Sequence, residues 1–81
     1  IEGQLVSLSK KEFDLLEYLI KNENIVLTRE KILDNVWGFD YFGNENIVDV
    51  YIRYLRNKID KPFDKNFIKT VRGVGYTVKK D

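Results

Sequence analysis

The sequence predicts an α+β fold: three helices and a C-terminal β-hairpin, with a short strand ahead of the first helix. Three observations lead there. Asn46–Asp60 opens in strand-like alternation but becomes a helix when its apolar residues are followed to the end. Capping signals at Ser9 and Thr28 start two helices ahead of it. Two β-rich runs, Phe67–Val71 and Gly75–Lys79, flank Arg72-Gly-Val-Gly75 near the end of the chain.

Gln4–Leu8 alternates weakly and reads as a short strand, the remainder of an N-terminal sheet. Ser9-Lys-Lys-Glu12 is a capping box, with Ser9 as cap and Glu12 reaching back. Leu8 and Phe13 stand where a hydrophobic staple would be. The helix runs to about Lys21, with Phe13, Leu16 and Ile20 on one stripe and Leu15 and Leu19 beside it. Asn22-Glu-Asn24 ends it, and Ile25-Val-Leu27 is a single extended segment. Thr28 caps a second, short helix marked by Ile32, Leu33, Val36 and Trp37, and Gly38 closes it. Gly38–Asn46 is a loop with three aromatic residues.

Val48, Val50, Ile52 and Tyr54 alternate as in a strand, whereas Val48, Ile52, Leu55 and Ile59 recur at helical spacing. At 100° per residue those four fall within about 60° of one another. As a strand, Leu55 and Ile59 would share a face with Tyr51, Arg53 and Asn57, which makes no core. The length also favours a helix, with Asn46 as its cap and Asp49 three residues on. Lys61-Pro62 stops it. Glycine tolerates positive φ, so Arg72-Gly-Val-Gly75 turns the last two runs into a hairpin. The sequence contains no internal repeat and no low-complexity linker.

A chain of 81 residues, 43% hydrophobic and 33% charged, is one small domain. It buries only about 60% of its unfolded surface, so its core must be well made. Five Phe, five Tyr and one Trp supply much of that core. No run is apolar enough to cross a membrane, and no signal peptide is evident. Cys and His are both absent, which excludes disulfides, thiol nucleophiles and the usual zinc sites, and removes the common general base. No metal or cofactor is expected. Enzymatic activity would need paired carboxylates in a pocket, yet Glu12, Asp14 and Glu17 sit at helix-surface spacings. The absence of Cys fits a reducing compartment. The absence of Met suggests a piece of a longer protein.

Charge is uneven along the chain. Residues 1–45 carry five Lys and Arg against nine Asp and Glu; residues 46–81 carry nine against four. The basic half suits an anionic partner, although an uneven solvated surface would look the same. The third helix adds detail. Opposite its apolar stripe lie Asn46, Val50, Arg53 and Asn57, with Tyr54 beside them, Tyr51 and Lys58 on one edge and Arg56 on the other. Arg, Asn and a small apolar residue are the types that read base edges in a major groove. The alternative is a solvated face on which Asp49–Arg53 and Arg56–Asp60 pair within the helix and Asn46 only caps.

Three helices, the third polar outward, then a hairpin, is winged-helix organisation, with the second and third helices forming a helix-turn-helix. LSKKEFDLLEYL, TREKILDNVWG, VDVYIRYLRNKI and IKTVRGVGY, in this order, resemble the DNA-binding domain of OmpR/PhoB-type response regulators. The resemblance spans nearly the whole chain, and it implies an N-terminal antiparallel sheet that is truncated here. It implies the output domain of a bacterial, cytoplasmic two-component regulator, non-enzymatic, with residues 1–81 a single domain of a longer chain. A receiver domain, absent here, would be phosphorylated on Asp and promote tandem dimers on DNA, the isolated domain being a monomer. The resemblance puts the third helix in the major groove, with Asn46, Val50, Arg53, Tyr54 and Asn57 facing bases. Trp37, Tyr51, Arg56, Lys58 and Thr70 face phosphates, and Arg72 at the wing tip reaches the minor groove. The family often has Arg at the places of Asn46 and Tyr54, so a different target sequence is implied. The loop 38–45, with Phe39, Asp40, Tyr41, Phe42 and Asn44, matches the surface that activators offer to RNA polymerase; the alternative is a long turn with its aromatics folded inward. A winged helix serving protein–protein contact is the rival to DNA binding.

Overall fold

The computed structural model describes residues 7–38, 41 and 43–79. Helix α1 spans Lys10–Lys21, strand β1 Leu27–Thr28, helix α2 Arg29–Ile32, helix α3 Asn46–Leu55, and strands β2 and β3 Ile68–Val71 and Gly75–Val78. Helix α2 continues through a wider turn, Leu33–Trp37, closed by the Gly38 N–H on the Leu33 carbonyl at 3.0 Å. Gly38 takes φ 102°, a conformation glycine adopts without a Cβ clash. Helix α3 continues likewise through Arg56–Asp60, and one 3₁₀ turn, Lys61–Phe63, carries Pro62. Gln4–Val6 of the predicted first strand lie outside the described residues; Ser7 and Leu8 are not in a strand.

The capping box at α1 forms as predicted. Ser9 Oγ accepts the Glu12 N–H at 3.2 Å and Glu12 Oε1 accepts the Ser9 N–H at 2.8 Å. The buried stripe of α1 differs from the prediction. Glu12, Leu15 and Leu19 are buried, whereas Phe13 and Ile20 are each about half exposed. At 100° per residue Phe13 and Ile20 stand about 80–100° away from Glu12. A glutamate discourages assigning that stripe to the interior, but here its carboxylate is satisfied by Ser9 and by Lys58 Nζ at 2.7 Å.

Thr28 caps α2 as predicted, its hydroxyl accepting the Lys31 N–H at 3.1 Å. Of the extended segment, Leu27 is buried and Ile25 and Val26 are exposed. Asn46 is not the cap of α3. Glu45 occupies that position without a side-chain bond, and Asn44 Oδ1 accepts the Asn46 N–H at 2.8 Å.

The sheet is antiparallel with order β1-β3-β2. Gly73 carries the wing turn at φ 76°, with the Val74 N–H on the Val71 carbonyl. Gly75 serves a different purpose from the predicted turn. A Cβ there would collide with the Leu27 carbonyl and stand 2.9 Å from Thr28 Cα. Glycine is required at that position so that β1 can pair with β3. Leu15, Leu19, Leu27, Ile32, Val48, Ile52, Leu55, Ile59, Ile68, Tyr76 and Val78 form one core joining all three helices and the sheet.

Candidate nucleic-acid interface

The apolar stripe of α3, Val48, Ile52, Leu55 and Ile59, is buried to 2% exposure or less. That orientation is forced by hydrophobic burial, and it turns Asn46, Arg53, Tyr54 and Asn57 outward into solvent. Val50 beside them is half-buried. Neither pair of the alternative reading, Asp49–Arg53 or Arg56–Asp60, forms. Asp49 accepts Arg29 Nε at 2.8 Å and the Tyr76 hydroxyl; Asp60 accepts the N–H groups of Phe67 and Ile68 at 3.1 and 3.2 Å. Both carboxylates of the helix are therefore used internally. Among the described residues, Arg53 makes no ion pair or side-chain hydrogen bond, so the outward face has a cation and no anion.

The two edges of α3 differ. On one, Lys58 Nζ meets Glu12, tying α3 to the start of α1. Burial acts to raise the Glu12 carboxyl, but the Lys58 ammonium and the Ser9 bonds outweigh it and hold it below its usual 4.5. Tyr51, half-buried on the same edge, meets Trp37 edge-on at 5.3 Å and Tyr54 at 5.3 Å. Trp37, itself half-buried, also meets Tyr41 at 6.4 Å and lies 5.5 Å from Lys11 Nζ, which donates to the Val36 carbonyl. Four aromatic rings thus run from the loop to the outward face of α3. On the other edge, Arg56 Nη2 donates to Thr70 Oγ1 at 2.7 Å and to the Ile68 carbonyl at 3.1 Å. Arg72 is exposed at the wing tip. Of the loop residues, Tyr41 is half-buried and Asn44 exposed; Phe39, Asp40 and Phe42 lie outside the described residues.

Sequence reasoning missed the polar ties that join Arg29, Asp49 and Tyr76, Glu12 and Lys58, and Asp60 and β2. Their partners are up to 46 residues apart, and no local spacing signals them. The described residues hold no cluster able to bind a metal ion and no helix long and apolar enough to cross a membrane.

A family model described as "Transcriptional regulatory protein, C terminal" matches residues 3–78. The chain belongs to that family. The transcriptional-regulator C-terminal family comprises DNA-binding regulator domains of OmpR/PhoB type, not enzymes. The uncharacterized transcriptional regulatory protein YkoG of Bacillus subtilis is 60% identical over 74 residues, covering 91% of this chain and 32% of YkoG. The chain thus spans about a third of that relative's length. Response regulator DrrB of Thermotoga maritima, an OmpR/PhoB homologue, superposes with a TM-score of 0.85 at 36% identity, over 99% of this chain and 36% of DrrB. The RstA DNA-binding domain of Klebsiella pneumoniae, solved in complex with the RstA box, gives 0.81 at 37% identity over 95% of this chain and 77% of that one. The winged helix read from the sequence is the fold observed.

Proposed function

We propose that this domain reads a specific double-stranded DNA sequence, with α3 in the major groove and the wing at the minor groove. The observation that carries the proposal is the outward face of α3, where Arg53, Asn46, Tyr54 and Asn57 are exposed while Asp49 and Asp60 are engaged inside. A face with donors and no carboxylate suits base edges and repels no phosphate. The RstA domain in complex with its box supports the same use of the fold.

Asn46, Val50, Arg53, Tyr54 and Asn57 are assigned to bases and Arg72 to the minor groove. Trp37, Tyr51, Arg56, Lys58 and Thr70 are assigned to phosphates. Arg56 and Lys58 keep spare donors for this beyond their internal bonds, since a guanidinium has five and an ammonium three. The 38–45 loop is assigned to RNA polymerase, through Asn44 and the neighbouring Phe39, Asp40 and Phe42, with Tyr41 packed against Trp37. In this reading residues 1–81 are one domain of a longer cytoplasmic regulator whose receiver, once phosphorylated, promotes tandem binding. The two elements of such a pair would lie roughly one helical turn apart, about 10–10.5 base pairs. Selection from random duplexes followed by anisotropy titration tests the proposal. Enrichment of one motif, bound at least tenfold tighter than a scrambled duplex, is expected; recovery of no motif contradicts sequence reading.

A further inference from the structure

The wing has more polar ties to α3 than its backbone pairing supplies. Asp60 holds the entry of β2 through two N–H groups, and Arg56 holds the Ile68 carbonyl and the Thr70 hydroxyl. Tyr76, buried on the central strand β3, gives its hydroxyl to Asp49 in the first turn of α3, and Asp49 also takes Arg29 from the start of α2. The Tyr76 ring lies 5.7 Å from the guanidinium carbons of both Arg29 and Arg56. At 100° per residue Asp49, Arg56 and Asp60 fall within about 40° of one another on α3. This edge lies between the buried stripe and the outward face, and all three of its polar residues hold the wing.

We propose that Tyr76 and Asp49 are positioning residues that fix the wing tip in register with the outward face of α3, so that core sequence and flank are read at one set spacing. The proposal rests on the minor-groove role given to Arg72 above. Mechanically, Tyr76 pairs with Thr70, the second pair from the turn, and Arg72 lies two residues beyond Thr70. A strand rises about 3.3 Å per residue, so Arg72 stands about 7 Å beyond that pair. A tilt of about 10° at that pair moves the Arg72 backbone by about 1 Å, enough to break hydrogen-bond geometry. Burial pushes the Tyr76 phenol up, its bond to Asp49 adds to this, and Arg29 opposes it in part, so the hydroxyl remains a donor throughout the neutral range. Fixing the tip before binding spares the ordering cost at contact.

The experiment uses a selected duplex in three forms: an A·T flank at native spacing, the same flank moved outward by one base pair, and a G·C flank. The wild type should favour the native A·T flank about fivefold or more, because a narrow minor groove attracts an inserted Arg, and lose that preference when the flank moves. Tyr76→Phe keeps the ring and leaves Asp49 paired with Arg29. Asp49→Ala removes the acceptor, and Asp49→Asn retains one. Tyr76→Phe and Asp49→Ala should bind the G·C flank within about twofold of wild type, yet lose at least two-thirds of the flank preference and treat the two A·T spacings alike. Asp49→Asn should preserve the preference. Thermal melts establish that each variant is folded, and Asp49→Ala carries the test if Tyr76→Phe does not fold. A wild type with flank and spacing preference, left unchanged in both variants, overturns the positioning role alone. A wild type indifferent to the flank overturns the minor-groove reading and this proposal with it.

Discussion

In the proposed function, Arg53 is the residue on which reading of the DNA sequence depends most. It is exposed in the middle of the outward face, and the one carboxylate placed to neutralise it within the helix, Asp49, is engaged by Arg29 and Tyr76. Arg53→Ala should therefore cost about 1–3 kcal/mol of affinity on a selected duplex and much less on a scrambled one. Equal losses on both would make Arg53 a phosphate contact. Trp37 is different, because it is half-buried among Tyr41, Tyr51 and Lys11. Truncating a core Trp costs about 3–5 kcal/mol, and Trp37→Ala should fall near or just below the lower end of that range. Denaturant unfolding and DNA titration on the same variant separate its packing from any phosphate contact. Glu12 gives a pH signature. Its carboxyl is held below 4.5, so the capping box and the Lys58 tie contribute their full stability above that pH and lose it as pH falls below it. The urea midpoint of the wild type should drop between about pH 5 and 3 more steeply than that of Glu12→Gln.

The elements were legible where the signal is local. The Ser9–Glu12 box, the Thr28 cap, Gly38 and the hairpin each depend on residues within a few positions of one another. Helix α3 was legible because four apolar residues share a stripe over three turns. Two expectations fail for different reasons. The buried stripe of α1 escapes local reading because its glutamate is satisfied by a lysine 46 residues away, and the cap of α3 falls on Glu45 while Asn46 gives its N–H to Asn44 Oδ1. The edges of α3 were legible as polar but not in purpose, since nothing near Arg56 in the sequence signals Thr70. Gly73 and Gly75 show how one pattern covers two physical reasons. Nothing lies within 4 Å of a Cβ on Gly73, so Gly73→Ala should cost only its φ strain, about 1–2 kcal/mol. Gly75→Ala forces β1 away from β3 and should cost about 1–3 kcal/mol through overpacking, with the loss focused on the sheet. Amide exchange distinguishes them: Gly75→Ala should release the Thr28 and Tyr76 region, and Gly73→Ala should not.

At the scale of the whole molecule, charge and fold act together. The acidic half forms α1, β1 and α2, and the basic half forms α3 and the wing, so the excess positive charge lies on the elements assigned to DNA. The internal ties of Arg56 and Lys58 reduce the free cations on that side without removing their charge. The role proposed for this side is to bind DNA, meeting its phosphates and reading its bases. Its most direct test is the affinity of the domain for a selected duplex across a range of salt, beside a scrambled duplex of equal length. Each neutralised phosphate adds about −0.9 to the slope of log K against log salt, so about four contacts give a slope near −3.6. A slope of about −3 to −5 is expected on both duplexes, with the selected one bound more tightly at every salt concentration. A flat salt response from the folded domain, or equal affinity for the two duplexes, would contradict it.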